Sequence, residues 1–187
     1  MSSDIEDAVS YLCKTIPTNL KIDDEFRKAV DEMIDAIVNA EKIFLYGVGR
    51  SGLVAKAFAI RLVQLGLEVF FLGECNTPMV EPNSVAIVIS NTGQTSSVVQ
   101  TANIVRRIGG KVIAITSVPH SKLAHAASTN IIIANKAAGD EFRLEYAPLG
   151  TVFEEATALL LDGIVSVIMK KIGETDQSMR MRHAIWV

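Results

Sequence analysis

The sequence predicts an α/β fold, a three-layer α/β/α sandwich with a five-stranded parallel sheet. Two observations lead to this prediction. Five short apolar runs read as buried strands, and helical patterns with a period near 3.6 residues separate them. Strands that alternate with helices in this way form parallel sheets through right-handed crossovers, with helices covering both faces.

Two helices are expected before the first strand. The first covers residues 4–15 and ends before Pro17, and the second covers residues 23–40. The predicted strands cover residues 42–46, 69–72, 85–89, 111–116 and 130–134, and the helices between them cover residues 53–65, 98–108 and 121–127. The sheet order expected for this arrangement is the flavodoxin-like 2-1-3-4-5.

The C-terminal part continues the helical layer. Residues 135–150 read as irregular, and residues 151–172 form a long, strongly apolar helix. This helix is expected to be buried nearly all round, partly in a subunit interface, because a monomer of this size seldom encloses a helix completely. A further short helix is compatible with residues 174–187.

Length and composition indicate one domain in three parts. The 187 residues divide into N-terminal helices (1–40), an α/β core (41–135) and C-terminal helices (148–187). The net charge of −3 gives no electrostatic reason to expect nucleic acid or an anionic membrane as a partner.

The two cysteines, the N-terminal residues and the longest apolar stretch bear on the cellular setting and on metal binding. Cys13 and Cys75 have neither metal-ligand spacing nor a disulfide framework, so the reducing cytoplasm is the expected setting. The acidic N-terminus does not resemble a signal peptide, and the longest apolar stretch, residues 158–169, is too short to span a membrane.

Residues 90–97 form the turn that most strongly suggests a ligand site. They lie between the predicted strand 85–89 and the following helix, and Gly93 allows a tight turn. Five of the eight residues carry hydroxyl groups: Ser90, Thr92, Thr95, Ser96 and Ser97. With the free N–H groups of a helix N-terminus they can hold an anion, most simply a phosphate. The alternative is that Thr95, Ser96 or Ser97 caps the helix and the other hydroxyls are solvated.

A second loop, residues 47–52, should face this turn. In a 2-1-3-4-5 sheet the first and third strands are neighbours, and ligands bind outside their carboxyl ends. The glycines at positions 47, 49 and 52 also match a dinucleotide-binding fingerprint, for which Glu74 would hold the ribose. That alternative leaves the hydroxyl-rich turn without a role, whereas a sugar monophosphate uses both loops.

Several motifs together resemble the sugar isomerase (SIS) domain family, and within it the 6-phospho-3-hexuloisomerases. The matching segments are Gly47-Val48-Gly49-Arg50-Ser51-Gly52, Gly73-Glu74, Thr77-Pro78, Ser90-Asn91-Thr92-Gly93-Gln94-Thr95, Ile115-Thr116, Pro148-Leu149-Gly150-Thr151-x-Phe153-Glu154 and Arg182-His183-Ala184. The resemblance implies a homotetramer, or a dimer of dimers, that interconverts 3-hexulose 6-phosphate and fructose 6-phosphate without a metal or other cofactor. An isomerase of another sugar phosphate, such as arabinose 5-phosphate or a heptose phosphate, and a non-catalytic sugar-phosphate sensor are the alternatives.

The resemblance also implies a phosphate and substrate site. The residues that match it are Arg50, Ser51, Ser90, Asn91, Thr92, Gly93, Gln94 and Thr95. Thr92 stands where the family usually has serine and keeps the hydroxyl. The role of Arg50 stays open at this point, since it can pair with the phosphate or anchor the turn through an ion pair.

Two residues are expected to carry the chemistry. Moving a carbonyl between neighbouring carbons needs a base, and Glu154 matches the family's proton acceptor. The alternatives are Glu155 as base, or both carboxylates as favourable charges at a helix N-terminus. His183 matches the terminal motif and is expected to reach a neighbouring subunit's site, whereas His120 and His125 read as surface or capping residues. The family's tail commonly continues into Asn-Leu-Glu, where this chain ends in Ile185-Trp186-Val187.

Overall fold

A computed structural model describes residues 2–134 and 140–183 of the chain. Its sheet has five parallel strands in the order 2-1-3-4-5, which confirms the predicted fold class. The helices are α1 (Ser2–Thr18), α2 (Asp24–Asn39), α3 (Arg50–Gln64), α4 (Ser96–Ile108), α5 (Lys122–Ala126), α6 (Glu141–Tyr146), α7 (Thr151–Lys171) and α8 (Asp176–Met181). The strands are β1 (Ile43–Gly47), β2 (Val69–Phe71), β3 (Val85–Ile89), β4 (Lys111–Thr116) and β5 (Thr129–Ile132).

Successive side chains of a strand point to opposite faces of the sheet, and both faces are buried because helices pack on each of them. On one face, Ile43, Leu45 and Ile87 pack against α2, α3 and α7. On the other face, Phe44 and Val88 pack against α4 and α5. Every residue of β3 is buried, as its unbroken apolar run predicts.

Residues 135–150, predicted to be irregular, contain a helix. Helix α6 occupies Glu141–Tyr146, while residues 135–139 lie outside the described part of the chain. Asp140 caps α6 by accepting from the N–H of Phe142 at 2.9 Å, and the Tyr146 ring lies 5.8 Å from that of Tyr11 on α1. The prediction missed α6 because so short a helix has little periodicity of its own and depends on packing against α1.

Helix α7 is less buried than predicted. Its inner face, including Phe153 and Ile164, joins the core, but Leu159, Asp162 and Val167 are exposed on the outer face. The expectation of a helix buried nearly all round is therefore wrong for the single chain. The apolar composition alone could not separate the inner face from the outer one.

Two helix ends differ from the prediction. Helix α3 begins at Arg50, three residues before the predicted start, so the Arg50–Gly52 segment is its first turn rather than a loop. Helix α1 continues through Pro17 to Thr18, which is tolerated because few helical hydrogen bonds follow the proline. Within the described residues, no helix is both long and apolar enough to cross a bilayer.

Candidate active site

The two predicted loops meet at the carboxyl ends of β1 and β3. These strands are neighbours, and Gly47 at the end of β1 lies opposite Ile89 at the end of β3. The segment after β1 therefore runs beside the hydroxyl-rich turn after β3. This is the switch point of the sheet, where parallel α/β folds place their ligands.

The β1–α3 connection is as tight as two glycines allow. A Cβ at Gly52 would lie 2.6 Å from the carbonyl oxygen of Gly47, closer than a side chain can approach. Gly49 adopts φ +61° with ψ −137°, a conformation reserved for glycine. Together they place Arg50 and the buried Ser51 in the first turn of α3, next to the crevice.

The acidic residue that the dinucleotide alternative requires pairs with a lysine in this structure. Glu74, which would hold a ribose, pairs instead with Lys56 of α3 at 2.8 Å. The Lys56 ammonium also lies 4.6 Å from the centre of the Phe71 ring. These contacts assign Glu74 to anchoring the loop after β2.

Side chains and backbone of the next strand fix the hydroxyl-rich turn. The buried Ser90 hydroxyl lies 3.0 Å from that of Thr95. The carbonyl oxygen of Asn91 accepts hydrogen bonds from Thr116 Oγ1 at 3.0 Å and from the Ser117 hydroxyl and N–H, each at 2.9 Å. The end of β4 and the residue after it therefore fix the backbone of Asn91. Thr92 and Gln94 are exposed, and the N–H of Gln94 donates to Thr92 Oγ1 at 3.3 Å.

Gly93 is the tightest point of this turn. It adopts φ +61°, and a Cβ there would overlap the Ser121 side chain and lie 3.0 Å from Thr116 Oγ1. Its N–H donates to the Ser90 carbonyl at 3.1 Å, and its carbonyl accepts from the Leu123 N–H at 3.0 Å. The turn is thus packed directly onto the start of α5.

Glu154 is far from both loops in the sequence but lies at the same crevice. It lies in the first turn of α7, and its side chain is 12% exposed. Its carboxylate pairs with Arg50 Nε at 2.5 Å, and Glu155 pairs with Arg50 Nη2 at 2.9 Å. A Cβ at Gly150 would lie 3.1 Å from Glu154 Oε1 and 3.2 Å from Asn91 Nδ2. Carboxylate, amide and guanidinium therefore surround the start of α7.

In the single chain, Arg50 forms the ion pair of the second alternative and stays open to the first. The guanidinium forms the ion pair that anchors the turn, and it does so with Glu154 and Glu155 together. It is 58% exposed, so a ligand in the crevice can still reach it. Arg50 thereby links the first turn of α3 to the first turn of α7.

Three helices begin at this crevice without a capping side chain. Helices α2, α5, α6 and α8 are each capped by a side chain, those of Asp23, Ser121, Asp140 and Thr175 respectively. Helices α3 and α7 instead start at glycines, and α4 starts at Thr95, whose hydroxyl turns to Ser90. The alternative was that Thr95, Ser96 or Ser97 caps the helix, but Thr95, the N-cap residue, makes no capping hydrogen bond with its side chain. Three uncapped helix N-termini attract an anion through their N–H groups and dipoles.

His183 does not lie at this crevice. It lines a groove with Ile60 and Val63 at the C-terminal end of α3. At a rise of 1.5 Å per residue, this end of the helix lies about 20 Å from Arg50 at the other end. His120 precedes α5 and His125 lies in it, and both are exposed, as expected for surface residues. Residues 184–187, including the divergent terminus, lie outside the described part of the chain.

An ion pair holds the segment that carries His183. Arg182 donates to both carboxylate oxygens of Glu174, at 2.8 and 2.9 Å, and to the Gln64 carbonyl at 3.1 Å. The hydrogen bonds from Arg182, followed by that from Ser178, lower the pKa of Glu174 from 4.5 to about 2. The C-terminal helix is thereby tied to the end of α3.

Replacing Glu174 with glutamine should remove a pH-dependent part of the stability. Because folding lowers the pKa of Glu174, its contribution is complete above pH 4.5 and is lost as the pH falls toward about 2. We expect E174Q to melt below the wild type at neutral pH and the two melting curves to converge through this range. Thermal melts at a series of pH values test this, and a constant difference would contradict it.

Sequence reasoning missed the residues that support the site from behind. Ser117 and Ser121 fix the turn after β3, yet neither was singled out, and Gly150 at the start of α7 was named only as part of a longer motif. Ser117 could have been found, because it follows β4, which the predicted order places next to β3. In the part of the chain that the structure describes, no group of three or more His, Cys, Asp or Glu side chains is arranged to hold a metal ion.

Comparison with known proteins identifies the family. The SIS domain family model matches residues 36–153, more than half of the chain and all of the sheet. The chain belongs to the SIS domain family. The matched range ends at Phe153, so both loops of this SIS domain and the start of α7 lie within it, with Glu154 directly after it.

Curated relatives of this SIS domain include enzymes of the predicted class. The 3-hexulose-6-phosphate isomerase of Methanocaldococcus jannaschii is 36% identical over 160 residues, which cover 86% of this chain and 85% of the relative. The 3-hexulose-6-phosphate isomerase of Bacillus subtilis is 33% identical over 157 residues, which cover 82% of this chain and 84% of the relative.

A solved structure supports the same relationship. A protein of Methanococcus jannaschii, whose crystal structure was taken to infer 3-hexulose-6-phosphate isomerase function, superposes with a TM-score of 0.86 at 31% identity. The alignment covers 97% of this chain and 99% of that one. The predicted family resemblance is confirmed.

Proposed function

We propose that the chain is an isomerase that interconverts 3-hexulose 6-phosphate and fructose 6-phosphate through an enediol, without a metal ion or another cofactor. The observation that carries the proposal is the meeting of three uncapped helix N-termini around the Glu154 carboxylate. The helix ends suit a phosphate, and the carboxylate suits proton transfer. Relatives named for this reaction support the choice of sugar.

The phosphate is assigned to the crevice between the two loops. Ser51, together with residues 90–95, offers hydroxyl and backbone N–H groups on the side of α3 and α4. Arg50 adds positive charge at the same edge and is exposed enough to contact the ligand. Gly93 allows the turn to pack closely against Ser121 at the start of α5.

Glu154 is assigned the proton transfer between C2 and C3 of the sugar chain. Its carboxylate would take the proton from the carbon next to the carbonyl and return it to the neighbouring carbon of the enediol. The ion pair with Arg50 fixes the orientation of the carboxylate, and the Asn91 amide lies on the same side of Gly150 as that carboxylate. Glu155 is less suitable as the base because its side chain is 48% exposed.

The decisive experiment is turnover of 3-hexulose 6-phosphate by the purified protein, with fructose 6-phosphate detected by a coupled assay after treatment with a chelator. Catalytic turnover that survives chelation is expected. Turnover of arabinose 5-phosphate or a heptose phosphate alone would move the proposal to another sugar. Binding of fructose 6-phosphate with no turnover of any sugar phosphate would replace the enzyme by a sensor.

A second copy of the chain is part of the proposal. Three helices on one side of the sheet expose apolar side chains that a monomer would leave in water. These are Ile5 and Val9 of α1, Ile60 and Val63 of α3, and Leu159 and Val167 of α7. A homotetramer, or a dimer of dimers, would bury them and could bring His183 to a neighbouring site. The proposed setting is the reducing cytoplasm, in keeping with the free, exposed thiols of Cys13 and Cys75.

Mixing two inactive variants tests whether His183 acts across subunits. E154Q and H183N should each lose most turnover alone. If His183 serves a neighbour, a mixed pair contains one intact site, and random pairing of equal amounts should restore about a quarter of wild-type activity. The two variants are unfolded together and refolded, with each variant refolded alone as control. No recovery from demonstrated mixed oligomers would contradict a role in a neighbouring site.

A further inference from the structure

The turn before Glu154 is held in a strained conformation. Leu149 adopts φ +57°, and it is the one non-glycine residue with positive φ among those described. Its side chain is 92% exposed, so packing of the leucine does not enforce this conformation. Strained residues that persist next to a functional group are held by their surroundings. The contacts of the Leu149 backbone must therefore supply the restraint.

Arg143 of α6 supplies such a contact. Its Nη1 donates to the Leu149 carbonyl oxygen at 3.1 Å. The next residue, Gly150, accepts from the Glu154 N–H at 2.9 Å and is the N-cap of α7. Arg143 is therefore connected to Glu154 through the backbone of Leu149 and Gly150. In the described structure, its own side chain contacts neither the Glu154 carboxylate nor Arg50.

Helix α6 is itself anchored far from the crevice. Asp140, its N-cap, accepts from the Tyr11 hydroxyl of α1 at 2.8 Å. The N–H of Arg143 donates to the Asp140 carbonyl at 3.1 Å. A continuous path of hydrogen bonds thus runs from Tyr11 through Asp140 and Arg143 to the backbone at Leu149. Rigid support of this kind is what a precisely placed catalytic group needs.

We propose that Arg143 is a positioning residue, which holds the Leu149 backbone so that Gly150 and the first turn of α7 present Glu154 to the sugar. The inference rests on the proposed function, since it assigns Glu154 the proton transfer. Arg143 touches no substrate in this assignment. Its effect passes through the carbonyl of Leu149 and should disappear when that residue no longer needs restraint.

A contribution to stability alone explains Arg143 less well. Its Nε is buried and has no hydrogen-bond partner within residues 2–134 and 140–183. A buried donor that is left unsatisfied offsets much of what the bond from Nη1 contributes to folding. Loss of the guanidinium should therefore change the melting temperature little and affect the geometry of the turn more.

The test compares R143M with R106M, a matched control. Arg106 also donates from Nη1 to a backbone carbonyl, that of His125 at 3.1 Å, but on α4 away from Glu154. We expect R143M to lower kcat by about tenfold to a hundredfold with KM unchanged, as for a small displacement of a catalytic group. R106M should retain wild-type kcat. R143K, whose ammonium can still donate to the carbonyl, should recover part of the loss.

A second background separates positioning from any other role. In L149G the residue adopts positive φ without strain. Adding R143M to L149G should therefore cost much less kcat than adding it to the wild type. An equal loss in both backgrounds, or a kcat for R143M equal to that of R106M, would overturn the inference.

Hydrogen exchange gives a measurement that does not depend on activity. The Glu154 amide, bonded to Gly150, should exchange faster in R143M than in R106M, because the turn that holds it is released. Equal exchange in the two variants would overturn the inference. If the wild type converts no sugar phosphate, the proposed function fails, and the exchange rates still decide whether Arg143 holds the turn.

Discussion

Replacing Glu154 with glutamine should abolish most of the isomerase activity while leaving the sugar phosphate bound. Glutamine keeps the shape of the side chain and loses the ability to accept a proton. Because general base catalysis contributes about 10²–10⁴-fold, kcat for 3-hexulose 6-phosphate should fall by that factor. Calorimetric titration with fructose 6-phosphate should show an affinity close to that of the wild type, since the phosphate is assigned to the other side of the crevice.

Glu155 provides the matched control for this substitution. It is the neighbouring residue and pairs with the same arginine, at 2.9 Å, but its side chain is four times as exposed as that of Glu154. We expect E155Q to change kcat little. Full turnover by E154Q would remove Glu154 from the mechanism, and a large loss in E155Q alone would transfer the role to Glu155.

Replacing Gly93 with alanine should weaken phosphate binding more than adding a methyl group at any other position of the turn would. Alanine at φ +61° is strained by about 1–2 kcal/mol, and its Cβ would overlap the Ser121 side chain at the start of α5. The turn or α5 must move, which separates the hydroxyls of residues 90–95 from the uncapped end of α4. We expect KM for the sugar phosphate to rise at least about tenfold, the effect of losing one to two hydrogen bonds to a charged group.

Gly173→Ala distinguishes the clash from backbone strain. Gly173 has φ +74°, and a Cβ there would meet nothing within 4 Å. Both alanine variants should melt at lower temperature, but only G93A should bind fructose 6-phosphate more weakly. If the two variants bound the ligand with equal, wild-type affinity, Gly93 would have no role in shaping the phosphate site.

The sheet could be predicted because its signals are local and strong. The run Val85–Ile89 is too apolar for any position but the centre of a covered sheet, and its bounds are the predicted ones. Helix α6 could not be predicted in the same way, since it depends on Asp140 meeting Tyr11 of α1 across 129 residues. The exposed side of α7 was missed because Leu159 and Val167 on its outer face give the helix a high apolar content overall.

The site was predictable where one segment carries the chemistry and not where distant segments meet. The hydroxyls of residues 90–95 predict an anion site, and Glu154 is predicted as the base from the motif it shares with the SIS family; both roles stay predictions. The joint pairing of Arg50 with Glu154 and Glu155 requires α3 and α7 to start side by side. Likewise, nothing in the sequence connects Arg143 to Leu149, because the strain at Leu149 exists only in the folded backbone.

The three helices without capping side chains also bear on how long the protein survives in a cell. Helices α2, α5, α6 and α8 carry their own capping side chains, so a bound phosphate would complete the N-termini that the chain leaves uncapped at α3, α4 and α7. A ligand that binds only the folded state stabilises it by about 2.7 kcal/mol at a hundredfold excess over Kd. Under the proposed function, abundant sugar phosphate would protect the enzyme from proteolysis, and starvation for it would shorten the enzyme's lifetime. Supply of substrate would then set the amount of enzyme as well as its rate.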